Sequence, residues 1–157
     1  MSIELTVLES IKSVSKAVIQ ALGVQVKSVE ADWQDEQERI YVTVDVGDAN
    51  GFLIGKDGRM LEALKLVIEA AISRLHNRPL DMYMDVGGYW KRLEDEALDE
   101  AKRACEEVRR TGKSRRMDPM HALLRRFVHR ALQNELGVKT ESEGEGTWRS
   151  IVIQPNR

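Results

Sequence analysis

The chain of 157 residues has one cysteine, three prolines and eight aromatic residues: three Trp, three Tyr and two Phe. With Cys105 alone, neither an internal disulfide nor a cysteine-built metal site can form, and a reducing, cytoplasmic setting is the simplest expectation. No apolar run approaches the ~20 residues that a membrane-spanning helix needs, so no membrane insertion is expected. The opening Met1-Ser2-Ile3-Glu4-Leu5 carries no basic stretch ahead of an apolar one, and no secretory leader is read there. So few aromatics disfavour a surface on which many bases would stack. An excess of one charge is missing as well. Lys and Arg number 24 against 26 Asp and Glu, and the net charge of −2 by itself points away from a polyanionic partner. What is present is a globular composition, 42% hydrophobic and 32% charged, long enough for one medium domain or two small ones.

The sum hides the distribution. Residues 28–50 carry one base, Arg39, against seven acids, a net of −6. Residues 109–130 carry eight bases (Arg109, Arg110, Lys113, Arg115, Arg116, Arg125, Arg126, Arg130) against Asp118 alone, a net of +7, with His121 and His129 in addition. A basic block of that density is the footprint of a polyanion-binding face. The plainer alternative is the solvated side of an Arg-rich helix.

Hydrophobic periodicity orders the elements. Leu5, Leu8, Ile11, Val18 and Leu22 form one helical stripe that Gly23 stops. Gln25–Trp33 and the β-branched Ile40–Val46 read as strands joined by a polar hairpin loop at Gln34–Glu38. Asn50 is placed to cap a short turn, Gly51–Ile54. A long amphipathic helix begins near Arg59, with Leu61, Leu64, Val67, Ile68, Ala71, Ile72 and Leu75 inward, and ends at Asn77-Arg78-Pro79. Leu80–Val86 alternates as a strand that Gly87-Gly88 closes. A second long helix, Tyr89–Arg110, carries Trp90, Leu93, Ala97, Ala101, Ala104 and Val108 on its apolar stripe, and a short extended piece, Lys113–Met117, follows. Asp118 as N-cap and Pro119 as first helical residue open a helix that runs to Leu136. Strands at Val138–Thr140 and Trp148–Gln154 flank a turn at Ser142–Gly146. The order predicts an α+β chain in two parts, residues 1–88 and residues 89–157, the second including the long connecting helix.

Two motifs carry chemistry. Ile54-Gly55-Lys56-Asp57-Gly58 stands between two helices. Glycines at both ends permit a tight turn and let a nucleic-acid backbone approach without a Cβ in the way. The helix starting at Arg59 aims its amide N–H groups at that gap, and Lys56 adds a cation, so phosphate is favoured there. Asp57 opposes this with a carboxylate. A P-loop is set aside, because three residues separate Gly51 from Gly55 and Asp57 follows Lys56 where Ser or Thr is needed. A plain turn stays open as the alternative. The run Gly51-Phe52-Leu53-Ile54-Gly55-Lys56-Asp57-Gly58 with its leucine-rich helix resembles a KH domain, and the order helix, strand, strand, helix, helix, strand resembles the type II arrangement. The resemblance implies a loop, Gly55 to Gly58 with Arg59, that clamps about four nucleotides of a single strand.

The second motif is Arg125-Arg126-Phe127-Val128-His129-Arg130. Arg125 and His129 are neighbours on one helical face, and Arg126 with Arg130 form the adjacent pair. Guanidinium groups hold phosphate bidentately, and an imidazole adds a hydrogen bond or stacks. By spacing alone, a charged helix face is the more common explanation of the run. It is preceded by Asp118-Pro119-Met120 and followed by Gly137-Val138-x-Thr140-x-Ser142-x-Gly144-x-Gly146 and Ser150–Ile153, and in that setting it resembles the small domain named for its Arg-x3-His motif. That resemblance implies single-stranded nucleic-acid binding by Arg125, Arg126, His129 and Arg130, with Arg115 and Arg116 close in sequence. Tandem KH and Arg-x3-His parts, joined by a helix containing Tyr89-Trp90-Lys91-Arg92, resemble the Jag family of bacterial RNA-binding proteins over essentially the whole chain. The resemblance implies a non-catalytic binder of single-stranded RNA or single-stranded DNA, acting in RNA regulation linked to cell elongation and division. The alternative it implies is an adaptor that pairs with a KH-only partner or with a second copy, RNA binding being secondary. Jag proteins often carry an additional N-terminal domain and linker, whereas this chain starts at the KH helix. Leu124 stands where relatives commonly have an acid.

Other chemically suggestive residues read as structural. His76 and His121 are isolated, which fits surface or capping roles. Asp81 and Asp85 lie about 13 Å apart along one strand, too far for a catalytic carboxylate pair, and read as solvated. Cys105 reads as packing within its helix. Glu141, Glu143 and Glu145 lack the Asp/Asn pattern of a calcium loop. No metal ligand set and no cofactor are expected. A nuclease using His129 as general base lacks a second catalytic group.

Overall fold

A computed structural model describes residues 4–35 and 38–156; the hairpin loop expected at Gln34–Glu38 and the chain start at Met1–Ile3 lie partly or wholly outside them. The chain divides into two compact units, Met1–Trp90 and Lys91–Arg157.

The first unit runs α1 (Leu5–Ala21), β1 (Ser28–Gln34), β2 (Arg39–Asp45), α2 (Asn50–Ile54), α3 (Arg59–Leu75) and β3 (Met82–Val86). Its sheet has the order β1-β2-β3, with β1 antiparallel to β2 and β2 parallel to β3. A parallel pair needs a crossover, and α2 with α3 supplies it. In register, Ile40 pairs with Met82, Val42 with Met84 and Val44 with Val86. All six side chains are buried, and α1 and α3 pack on this unit's strands. On the opposite face Tyr41 and Tyr83 stack with centroids 4.4 Å apart. This is the expected α-β-β-α-α-β order.

Two helical stripes differ in detail from the sequence expectation. In α1 the buried positions are Val7, Ile11, Ser15 and Ile19, while Leu5 and Leu22 are exposed. The helix turns its i, i+4 row of β-branched and small residues to the sheet, which suits close packing better than the leucine row. In α3, Leu61, Leu64, Ile68 and Ile72 are buried and Val67, Ala71 and Leu75 face water. Asn50 is no N-cap: it is the first residue of α2, and its Oδ1 accepts the Val46 N–H at 3.0 Å while Ala49 holds the cap position. Asp85 is not solvated but buried, its Oδ1 accepting the Trp90 backbone N–H at 3.0 Å.

The second unit contains most of α4 (Tyr89–Thr111), then β4 (Arg115–Arg116), α5 (Ala122–Ala131), β5 (Val138–Glu143) and β6 (Ser150–Pro155). Its sheet is antiparallel with β6 in the middle, ordered β4-β6-β5. Ala97, Ala101, Ala104 and Cys105 of α4 are small, so that helix lies close against Val128, Leu132, Val138, Ile151 and Ile153. The helix expected from Asp118 to Leu136 is shorter at both ends. Its cap is His121, whose Nδ1 accepts the Leu123 N–H at 3.3 Å, because the preceding segment is tied elsewhere: the Met120 N–H donates to the Arg149 carbonyl at 3.2 Å. It stops at Ala131 because Gln133, Asn134 and Leu136 offer no side chain to the core. The last strand begins at Ser150, leaving Trp148 in a short turn, Gly146–Trp148.

Candidate nucleic-acid interface

In the first unit, Gly55 to Gly58 forms a tight turn between α2 and α3. Gly55 has φ 69° and ψ −169°, and Gly58 has φ 76° and ψ 7°. Between them Asp57 sits in the left-handed region at φ 54°, ψ 29°, a conformation that Asp tolerates better than most residues. Gly58 is required for a second reason. A Cβ there would lie 3.0 Å from the rings of both Trp90 and Tyr89, so the aromatic pair at the start of α4 packs directly under the loop. At Gly55 a Cβ would meet Met60 Cβ at 2.6 Å. Lys56, Asp57 and Arg59 are exposed, and no side chain caps the N-terminus of α3. The Arg59 N–H donates to the Lys56 carbonyl, so what the loop offers to solvent is one lysine and one arginine with the Asp57 carboxylate beside them. Below the entry to α2, the Gly47 N–H donates to Asp45 Oδ1 at 2.8 Å and holds that carboxyl below its ordinary value; burial opposes this, and the Asn50 amide and Lys27 reinforce it.

In the second unit, α5 and β5 bring Arg125, Arg126, His129 and Arg130 together with one residue absent from the expected set, Arg149. The Arg125 Nη1 donates to the Met120 carbonyl at 2.7 Å, while its Nε is buried with no partner. Burial, then the positive charges of Arg149 and Arg126, pull the Arg125 guanidinium below its ordinary value; it stays cationic at neutral pH. His129 Nδ1 lies 2.6 Å from Thr140 Oγ1, and the Arg149 Nε donates to Ser142 Oγ at 3.0 Å. Thr140 and Ser142 lie two apart on β5, paired with Ile153 and Ile151, so one sheet edge fixes both the imidazole and the second guanidinium. Arg126 and Arg130 are exposed, and among the described residues no ion pair engages them. The group is a crowd of like charges, one of them half-buried, with a spare donor, which suits an anion.

The structure does not bring Arg115 and Arg116 to that crowd. They lie on the opposite edge strand, β4, where Arg115 pairs with Glu107 at 3.1 Å and Arg116 with Glu143 across the central strand. Arg109 is also engaged, paired with Glu135 and donating from its Nε to the Leu136 carbonyl at 2.9 Å. So three of the eight bases in the +7 block are neutralised within the fold. Arg149 escaped the sequence reading because residues 131–157 are net negative and its neighbourhood exists only once β6 is in place. Among the described residues no group of three His, Cys, Asp or Glu side chains is placed to hold a metal ion, and no helix is long and apolar enough to cross a membrane.

The family model described as KhpA/KhpB, KH domain matches residues 8–81, and the model of the Arg-x3-His domain matches residues 95–155. The chain is similar to a Clostridium symbiosum protein named RNA-binding protein KhpB, 32% identical over 111 residues, which are 71% of this chain and 50% of the relative. Proteins of the same name from Lactiplantibacillus plantarum (30% over 138 residues, 87% of this chain and 41% of the relative) and Bacillus subtilis (29% over 113 residues, 71% and 54%) are also similar. The chain thus spans about half the length of the curated relatives it matches. Since the first match contains the Gly55–Gly58 loop and the second contains the Arg125–His129 pair, the two in tandem place the chain in the Jag family of KH and Arg-x3-His domain proteins.

Proposed function

We propose that the chain is a non-catalytic binder of single-stranded RNA with two contact surfaces: the Gly55–Gly58 loop with Arg59 in a KH part, residues 1–88, and the Arg125, Arg126, His129 and Arg130 face in an Arg-x3-His part, residues 89–157. The observation that carries the proposal is the crowding of Arg125, Arg126 and Arg149 around a half-buried guanidinium, which an anion relieves. The relatives' name supports RNA as that anion. Arg115 and Arg116 join only by exchanging Glu107 and Glu143 for phosphate. Two modest sites on one chain gain affinity through effective concentration wherever one strand spans both.

The test is fluorescence anisotropy with labelled single-stranded RNA over a salt series. Affinity falls steeply with salt, and Arg125→Ala with Arg126→Ala flattens the log–log slope by roughly 0.7 per lost contact. A salt-independent affinity, or an unchanged slope in the double variant, sinks the reading. Single-stranded DNA of the same sequence run alongside reports how much the 2′-hydroxyl matters. The proposed setting is cytoplasmic RNA regulation tied to cell elongation and division. Cell length in a deletion strain, complemented with wild type or with the double variant, tests it.

A second reading, an adaptor that pairs with a KH-only protein or a second copy, is favoured by one feature. Phe52 on α2 and Leu66, Val67 and Leu75 on α3 are between 58% and 63% exposed. Light scattering of wild type and Val67→Lys, with and without RNA, separates this reading from the first.

A further inference from the structure

We propose that Trp148 seats one unpaired nucleobase of the strand whose phosphates lie on Arg125 and Arg149. This deepens the RNA-binding reading above and rests on it. Trp148 is 78% exposed, whereas Trp90 is 1% exposed and Trp33 half-buried. The indole is held out by a hydrogen-bonded turn. The Trp148 N–H donates to the Glu145 carbonyl at 3.1 Å, and the Ser150 hydroxyl donates to the Trp148 carbonyl at 3.5 Å. Gly144, at φ +96°, lets that carbonyl approach, since a Cβ there would lie 3.0 Å from it. A ring on a fixed backbone loses little freedom when a base stacks on it, and stacking tolerates any base because each has a π-face.

The neighbouring charges say which part of a nucleotide belongs there. Arg149 follows directly, anchored on Ser142 and close enough to disturb Arg125, so a phosphate site begins within one residue of the ring. The turn is preceded directly by Glu145, an exposed carboxylate, so a phosphate on the turn is repelled while a neutral base is not. The indole's chain neighbours Gly146, Thr147 and Arg149 are exposed and polar or small, which suits one flat ring rather than the broad apolar face of a protein partner. With one such aromatic in the unit, one base is held and sequence preference stays modest.

The experiment compares an oligouridylate with an abasic deoxyribose-phosphate strand of equal length, titrated into wild type, Trp148→Ala and Trp148→Phe. Trp148 lies outside the core, so both variants keep the fold. In Trp148→Ala the affinity for oligouridylate falls roughly ten-fold and for the abasic strand less than about two-fold; Trp148→Phe retains most of it. The salt slope is unchanged in both variants. In wild type saturated with oligouridylate, acrylamide no longer quenches the Trp148 emission. Equal losses on the two strands, or an indole still open to acrylamide in the complex as a protein-contact residue would be, overturn the proposal. If wild type binds both strands with salt dependence and Trp148→Ala changes neither, only the stacking seat falls. If wild type binds neither strand, the RNA-binding reading falls with it.

Discussion

The loop of the first unit and the arginine face of the second are built from opposite materials. The loop is backbone: two glycines at positive φ, an aspartate in the same region, and a pair of rings beneath. Its side-chain charges nearly cancel. The arginine face is side chain: its guanidinium groups are held by a carbonyl and a serine hydroxyl, and its imidazole by a threonine hydroxyl. A site made of backbone shape depends on the fold for its existence and little on salt. A site made of charge survives small changes of fold and weakens steeply as salt rises.

The sharpest way to break this contrast is Gly58→Ala. The substitution meets Trp90 and Tyr89 and forces a left-handed alanine, and is expected to cost about 3 kcal/mol in the first unit, read from its urea midpoint. Normal stability with lost RNA binding would show that the loop is not a backbone-built element. It also makes Gly58 a poor place for a binding knock-out, whereas Lys56 and Asp57 are exposed.

Next in size, Arg125→Ala with Arg149→Ala is expected to weaken RNA binding by roughly 2–3 kcal/mol at low salt, with little change in melting temperature. Anisotropy at two salt concentrations checks it. If Lys56→Ala weakens binding more than this pair does, the contrast is inverted.

A smaller effect of opposite sign is expected at Asp57. Asn keeps the left-handed conformation and removes the carboxylate, so Asp57→Asn tightens binding by about 0.5–1 kcal/mol at low salt, and the gain disappears at high salt. Weaker binding by this variant would mean that the carboxylate contacts the ligand favourably.

The smallest effect concerns pH. Burial pushes the Cys105 thiol up from its ordinary 9.0, Arg109 opposing and Glu135 and Glu106 adding. The folded form thus keeps its proton longer than the unfolded one. That contribution to stability is complete below the ordinary value and fades as pH rises through the raised one. The second unit's urea midpoint is expected to fall slightly above pH 9, and Cys105→Ala to flatten that fall. An identical pH profile in the variant refutes it.

Sequence periodicity located α1, β1, β2, α2, α3 and β3 among the described residues, although β3 is buried on both faces. It misjudged which helix face is buried. In α1 both Leu5/Leu8 and Val7/Ile11 satisfy helical spacing, and only the sheet beneath decides between them. The tight turn was legible from its glycines, whereas the Tyr89 and Trp90 rings against Gly58 were not. The clustering of Arg125 and His129 was legible from their helical spacing, and the placement of the other arginines was not. Local counting grouped Arg115 and Arg116 with Arg125, while strand pairing sends them to the other edge and delivers Arg149 instead. Asp85 failed for the same reason: its burial comes from the Trp90 amide it caps, a partner beyond the two glycines that seemed to end the unit.

The loop's geometry divides its four positions by their freedom to change over generations. Positions 55 and 58 have steric neighbours that admit only glycine, so selection for folding alone keeps them. Positions 56 and 57 project into water, and position 57 accepts Gly freely and Asp or Asn at less cost than other side chains. A one-nucleotide change from an aspartate to an asparagine codon therefore resets the charge at the mouth of the loop while the scaffold stays silent. Descendants of this chain can drift between a reluctant and an eager loop through viable intermediates, with the second unit keeping hold of the ligand meanwhile.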